Sequence, residues 1–379
     1  LSSLQSEFSS KQFKKAGKTA EGIFVCSEAI RLFGCRSRSA LAFLNLQITL
    51  AAMIRGYMLR EIARQGGEFM DLNRRDFMKA GMAAGATLML PYQSLFAQGA
   101  TALIQKKIPS SGEMIPIIGL GTARRYEEVK TDAEKVPLRE TIAKFKEVGL
   151  KVIDSSSSYG NAEAVVGEIV EGLKIRDSLF LATKVSLRKG VGRDPGLALI
   201  EQSFKRYRTN KIDLIAVHNL LDTQTQLATL REMKQAGRIR YVGITTSFDN
   251  QYGDFEQTMK KETLDFIQVD YALDNRDAGE RIIPLAGDRG MAVMINLPFG
   301  RGRLFKAVEG KKLPDWAAEF DCASWPQFFL KYIVSHPAVT CAVPGMARLE
   351  YVVDNLGAAR GRLPDAAMRK RMEQLIDGV

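Results

Sequence analysis

A closed (β/α)8 barrel is the fold class this sequence predicts, and three observations carry the prediction. First, three successive apolar runs end in chemistry-bearing side chains. Residues 151–160 (KVIDSSSSYG) reach Asp154, residues 179–184 (LFLATK) reach Lys184, and Ile212–His218 (IDLIAVH) reach His218. Second, Asp154 and Lys184 lie 30 residues apart and Lys184 and His218 lie 34 apart, against roughly 31 per strand–helix unit in a barrel of about 250 residues. Third, the comb extends both ways. Apolar runs also end near Thr122 (PIIGLGT), Thr245 (RYVGIT), Gln268 (DFIQV), Asn296 (AVMIN) and Pro344 (TCAVP), which makes eight. Helical patterns at 138–148, 162–173, 198–207, 224–235 and 254–261 separate them, so a parallel sheet closed on itself is expected. Its active site belongs at the C-terminal ends of the strands.

The 379 residues are 46% hydrophobic and 26% charged, as in an ordinary globular enzyme. The net charge of +11 does not mark a nucleic-acid binder. Residues 1–100 hold 13 Lys/Arg and 7 Asp/Glu, which leaves 41 and 36, or +5, on residues 101–379. No basic run there is interleaved with aromatics, so no nucleic-acid partner is expected.

Residues 1–69 fit no pattern of the barrel. The stretch 43–53 (FLNLQITLAAM) is too short and too polar to span a bilayer. Met70 directly follows Gly66-Gly67-Glu68-Phe69, and the expectation is that Met70 is the true start and residues 1–69 an upstream translation artefact. The competing reading is a weak membrane-surface segment. Residues 70–100 have a polar opening, Arg74-Arg75, then Phe77, Lys79 and an Ala/Gly-rich apolar run broken by Pro91. This segment resembles a bacterial twin-arginine export signal, with NRRDFMK at 73–79 as its core. The resemblance implies the twin-arginine export machinery as a partner, a periplasmic location, transport in the folded state and no stable membrane span after cleavage.

Of four cysteines, Cys26 and Cys35 fall in the leader, and Cys341 falls in the last strand as core. A Cys322–Cys341 disulfide is open to an exported protein, but sequence alone cannot bring the two within reach. No metal-ligand spacing occurs, so no metal is expected. The barrel itself opens with a hairpin over 104–115, turning at KKIPSSG, which is expected to close the barrel bottom.

Residues 104–379 resemble an aldo-keto reductase. The matching pieces are IGLGT at 118–122, GLKVIDSSSSYGNAEAVVG at 149–167, LATK at 181–184, IDLIAVHN at 212–219, GITT at 243–246, Gln268, and VPGMARLEYVVDN at 343–355, in family order. The resemblance implies reduction of a small carbonyl substrate with a nicotinamide cofactor, by a monomer. Such a reaction needs a proton at oxygen as negative charge develops there. Tyr159 is expected to donate it, although a free phenol titrates near pH ~10. Lys184 as an ammonium is expected to lower that value, Asp154 to hold Lys184 charged, and neutral His218 to orient the carbonyl. The bland alternative is a structural ion pair beside a satisfied strand-end histidine. His336, in VSHPAV, reads as a turn histidine.

For the cofactor, the resemblance implies Thr122, Thr245, Thr246 and Gln268 at the nicotinamide half, with Thr245-Thr246 where the family more often has Ser-Asn. Gln268 would bond the carboxamide. Two departures stand out. Asn296 occupies the position where the family commonly stacks a Tyr on the nicotinamide, so either Phe299 substitutes or the nicotinamide is held more loosely. The 299–302 loop offers glycines and Arg301 for a pyrophosphate. Asp354 and Asn355 match the adenosine end, while Gly345 and Tyr351 replace the Lys and Arg that often clamp a 2′-phosphate. Arg348 is the remaining cation there, so NADP(H) is the preferred cofactor and NAD(H) the alternative. Three function classes follow: an exported carbonyl reductase, a nucleotide-binding redox-sensing or scaffold barrel with little turnover, and a lyase using Lys184 as a Schiff-base amine. Tyr126, Phe248, Tyr271 and Phe305 are the aromatic candidates for a substrate wall.

Overall fold

The structure, a computed structural model, describes residues 102–187 and 192–379. The leader at 1–69 and the export signal at 70–100, with Cys26 and Cys35, lie outside the described residues. A short antiparallel hairpin, β1 (Gln105–Lys107) and β2 (Met114–Pro116), opens the described chain. Eight parallel strands follow: β3 (Leu120–Gly121), β4 (Val152–Asp154), β5 (Phe180–Val185), β6 (Ile212–His218), β7 (Ile239–Thr245), β8 (Phe266–Asp270), β9 (Ala292–Asn296) and β10 (Val339–Ala342). Each is hydrogen-bonded to the next in sequence. The first and last then meet: Gly119 N–H donates to Ala342 O at 2.8 Å and Ala342 N–H to Ile117 O at 2.9 Å. Gly121 has to be glycine at this seam, because a Cβ there would lie 2.7 Å from Val343 O.

Ten helices accompany the strands among the described residues: α1 (Asp132–Glu147), α2 (Ala162–Leu173), α3 (Arg193–Tyr207), α4 (Thr223–Gln235), α5 (Tyr252–Lys261), α6 (Ile282–Asp288), α7 (Arg303–Ala307), α8 (Trp325–Val334), α9 (Leu349–Ala358) and α10 (Ala366–Asp377). The expected segment 162–173 matches α2 at both ends. The expected start at 138 is six residues late, because a capping box between Thr131 and Glu134 starts α1 ahead of Pro137. Likewise α3 begins ahead of the expected 198, with Pro195 in its first turn, where a missing N–H costs nothing.

Strand alternation sorts the core into two parts. Ile153, Leu181, Ile215 and Ile267 join the large cluster of buried residues that includes side chains of the surrounding helices. Val152, Phe180, Leu214, Tyr241, Phe266, Ala292, Met294 and Cys341 form a separate interior cluster, which the hairpin completes with Ile108 and Ile115. Phe180 and Tyr241 stack there at 5.7 Å between ring centroids. The hairpin is anchored by charge as well: Lys106 Nζ donates to the carbonyls of Val334, His336 and Val339 at 2.6–2.9 Å. The bottom of the barrel is therefore plugged and apolar, as the sequence predicts. Above it the inward positions turn polar, with Asp154, Lys184, His218, Thr245 and Gln268.

Cys322 and Cys341 are both buried free thiols, one in the large outer cluster and one in the interior cluster, so they form no disulfide. Gly167 marks a close approach of helix backbones. A Cβ at that position of α2 would sit 2.1 Å from the carbonyl oxygen of Arg206 on α3. Gly167→Ala is therefore expected to lower stability by about 1–3 kcal/mol, seen as a lower urea midpoint at unchanged slope.

Candidate active site

The site is built on a buried ion pair. Lys184 from β5 and Asp154 from β4 are 2% and 6% exposed. Nζ donates to both carboxylate oxygens at 2.7 Å and to the backbone carbonyl of Ser155 at 2.6 Å. Gln268 of β8 adds a third hydrogen bond to the carboxylate, from Nε2 to Asp154 Oδ2 at 3.0 Å. Every proton of the ammonium is thus taken, and it has no lone pair with which to attack a carbonyl. That geometry argues against a Schiff-base lysine.

Tyr159 arrives on the turn that leads into α2. Its N–H donates to Ser156 O at 3.0 Å, and its carbonyl accepts from Ala162 N–H at 2.8 Å. Gly160 next to it has φ +44°, and a Cβ there would lie 2.8 Å from Glu127 O, so this turn can press onto the loop after β3. Lys184 Nζ stands 5.4 Å from the centroid of the Tyr159 ring. The ring of His218, at the end of β6, is edge-on to Tyr159 with centroids 6.1 Å apart. The ring nitrogen Nδ1 of His218 lies 3.1 Å from Ser156 Oγ and 3.5 Å from Ser158 Oγ.

Burial sets the protonation states. It pushes His218 down to about 3, with the Lys184 cation adding to the effect, so the imidazole is neutral at physiological pH. For Tyr159 the expected lowering is not the net result. Burial raises the phenol above its ordinary value, Lys184 opposes this, and Asp154 and Glu127 push it further up. The phenol accordingly keeps its proton at neutral pH.

These groups face a cavity of about 590 Å³. Of the residues expected from sequence, Thr122, Asp154, Tyr159, Lys184, His218, Thr245, Asn296, Phe299 and Arg301 line it. A second cavity of about 1020 Å³ shares Gly121, Ala123, Arg124, Phe305 and Gly345 with the first and extends to Arg348 and Tyr351. Together they form one elongated trench. Four expected residues lie off it. Gln268 is buried and donates from Nε2 to Asp154 Oδ2. Thr246 is buried and donates to Gln251 Oε1 at 2.6 Å. Asp354 faces the start of α8, where Oδ1 accepts from Ser324 Oγ at 2.7 Å and Gln327 Nε2 at 2.9 Å. Asn355 is buried on α9. Among the aromatics, Phe305 lines both cavities and Tyr126 the second, with the Tyr126 hydroxyl donating to Met346 O at 2.9 Å, whereas Tyr271 is buried with its hydroxyl bonded inward. Phe248 is exposed away from the trench.

The sequence reading missed Ser156, Ser158, Arg124, Glu127, Asn219 and Ser247. Ser156 and Ser158 stood in plain view in the four-serine run, but which serine turns inward depends on the loop path. The rim is also where backbone strain gathers. Arg124, Asn219, Leu297 and Arg301, all lining the first cavity, have φ between +48° and +67°. Asn296 Oδ1 is buried with no hydrogen-bond partner in the structure.

Residues 117–376 match the model of the Aldo/keto reductase family, and residues 71–91 match that of the TAT (twin-arginine translocation) pathway signal sequence. The Bacillus subtilis protein Aldo-keto reductase YhdN is 28% identical over 216 residues, which cover 54% of this chain and 63% of that relative. The matched stretch thus spans under two thirds of that relative. Uncharacterized oxidoreductase YqkF, also from Bacillus subtilis, is 25% identical over 68% of this chain and 92% of its own length. Among solved structures, an aldo-keto reductase from Klebsiella pneumoniae in complex with NADPH has a TM-score of 0.60 at 22% identity, covering 72% of this chain and 96% of that one. The thermostable aldo-keto reductase Tm1743 with the inhibitor epalrestat reaches 0.60 at 24% identity, over 72% and 100%. At these identities the structural likeness carries the fold alone.

Two outcomes follow from the geometry. Lys184→Met leaves a buried carboxylate without its cation and is expected to cost roughly 3–5 kcal/mol of stability, measured by denaturant unfolding. His218 and His336 are both depressed, to about 3 and about 4 from 6.5. The unfolded chain therefore takes up protons at a higher pH than the folded one. Their contribution is complete above pH 6.5 and is lost as pH falls from 6.5 towards 3. His336→Gln is expected to flatten the acid side of a stability–pH profile between pH 6.5 and 4.

Proposed function

The chain belongs to the aldo/keto reductase family, and from that premise we propose that it reduces aldehydes or ketones with Tyr159 as the general acid. The observation that carries this reading is the shared cavity, in which a protonated phenol stands over a saturated Asp154–Lys184 ion pair beside a neutral imidazole. An acid must hold its proton until the substrate oxygen becomes negative, and burial of Tyr159 supports that. Lys184 then stabilises the phenolate that remains, through a charge fixed by Asp154. His218 donates to the carbonyl oxygen and orients it.

The residues fit a nicotinamide dinucleotide. The two adjoining cavities share five residues and together reach from Tyr159 to Arg348, which suits an extended group. The orphaned Asn296 Oδ1 is an acceptor waiting for a donor such as a carboxamide. Thr122, Thr245, Asn296 and Phe299 would hold the nicotinamide half, Arg301 the pyrophosphate, and Arg348 with Tyr351 the adenosine end. NADP(H) is the preferred form and NAD(H) the alternative, since Arg348 is exposed and shares its charge with Glu350 at 3.6 Å. When bound, the cofactor supplies hydride to the carbonyl carbon. The signal sequence at 71–91 supports export through the twin-arginine machinery. We place the working protein, residues 101–379 after removal of 70–100, in the periplasm of a bacterium as a monomer.

The deciding experiment is NADPH titration followed by a panel of aldehydes and diketones. Cofactor oxidation in the parent is expected, with Tyr159→Phe losing about 10²–10⁴-fold in turnover while NADPH binding survives. Binding without turnover on any carbonyl would replace this reading with the redox-sensing or scaffold barrel. Absence of binding would remove both.

A further inference from the structure

A neutral imidazole has one proton for two nitrogens, and the partner of one nitrogen decides the state of the other. In His218, Nδ1 faces Ser156 Oγ at 3.1 Å, with Ser158 Oγ at 3.5 Å. Nε2 is the nitrogen left for the cavity that His218 lines. Ser156 is 1% exposed, so its hydroxyl must find its partners within the protein. It accepts from the Ser158 N–H at 3.3 Å and lies 3.0 Å from Ser158 Oγ. One lone pair and one proton of Ser156 remain to be assigned.

Two proton orders satisfy every group. In the outward order Nδ1–H donates to Ser156 and Ser156 donates to Ser158. Nε2 then presents a bare lone pair to the cavity. In the inward order Ser158 donates to Ser156 and Ser156 donates to Nδ1, which puts the proton on Nε2. Ser158 is exposed, so water can complete its hydrogen bonds in either order. A carbonyl oxygen in the cavity discriminates between them, because the outward order sets acceptor against acceptor. Resting on the reductase reading, we propose that Ser156 is a positioning residue that fixes His218 as the Nε2–H donor, with Ser158 as the solvent end of a two-hydroxyl relay.

The chain has two histidines, His218 and His336. Nitrogen NMR of the full chain with labelled histidine can therefore be assigned with a single variant, His336→Gln. The expected parent spectrum has a protonated Nε2 and an unprotonated Nδ1 for His218. Ser156→Ala is expected to mix the tautomers and to lower kcat roughly tenfold at unchanged NADPH affinity. Ser156→Thr, which keeps the hydroxyl, is expected to restore both. A purely structural serine would lower stability without moving the tautomer. A protonated Nδ1 in the parent overturns the proposal, as does a parent-like spectrum in Ser156→Ala. Should Ser156→Ala fail to fold, the parent spectrum still fixes the tautomer. Ser158→Ala, at an exposed position, then tests the relay: a perturbed Nδ1 signal supports it and an unchanged one overturns it. No substrate enters the tautomer measurement. The expected spectra in a chain that reduced no carbonyl would sink the reductase reading and leave the relay standing.

Discussion

The Asp154–Lys184 pair is the constraint on which the upper barrel depends. Neither charge could be buried alone at a tolerable cost. Together, with Ser155 O and the Gln268 amide completing their hydrogen bonds, they make a saturated polar plug that joins β4, β5 and β8 across the barrel interior. A buried pair of this kind is poor evidence of net stabilisation, since an apolar replacement is often as stable. Its presence here is better understood as a fixed positive charge, held within 5.4 Å of the Tyr159 ring centroid.

From that plug the two ends of the barrel diverge. Below it, large side chains and the hairpin residues Ile108 and Ile115 fill the interior. Above it, the loops after β3, β6 and β9 carry non-glycine residues in left-handed conformations around an open cavity. Strain at the rim is sustained by rigidity beneath it. Gly160 shows the same economy, since its positive φ and missing Cβ allow the Tyr159 turn to reach the Glu127 backbone.

How legible this was in the sequence varied with the length scale. Strands buried on both faces must be continuously apolar, so all eight runs of the barrel stand out. Helix starts are less legible: α1 and α3 begin ahead of the expected 138 and 198, with Pro137 and Pro195 inside them. Strand ends were read short where a polar residue interrupted: Gln268 sits within β8, which continues to Asp270. The Tyr159 acidity also escaped the sequence. Its sign depends on how far burial outweighs a cation, and burial is not a local property.

The sequence by itself determined the barrel, the plugging hairpin and the identity of four side chains that meet at its top. Eight continuously apolar runs and a repeat near 31 residues leave few other ways to bury them. Only the tertiary structure decided the partners. Gln268 turned to Asp154, Asp354 to α8, and Ser156 to His218, because each choice depends on which side chain from a distant strand or loop arrives within about 3 Å. Sequence spacing orders strands around a barrel, but hydrogen bonds are made at distances that the order alone does not set.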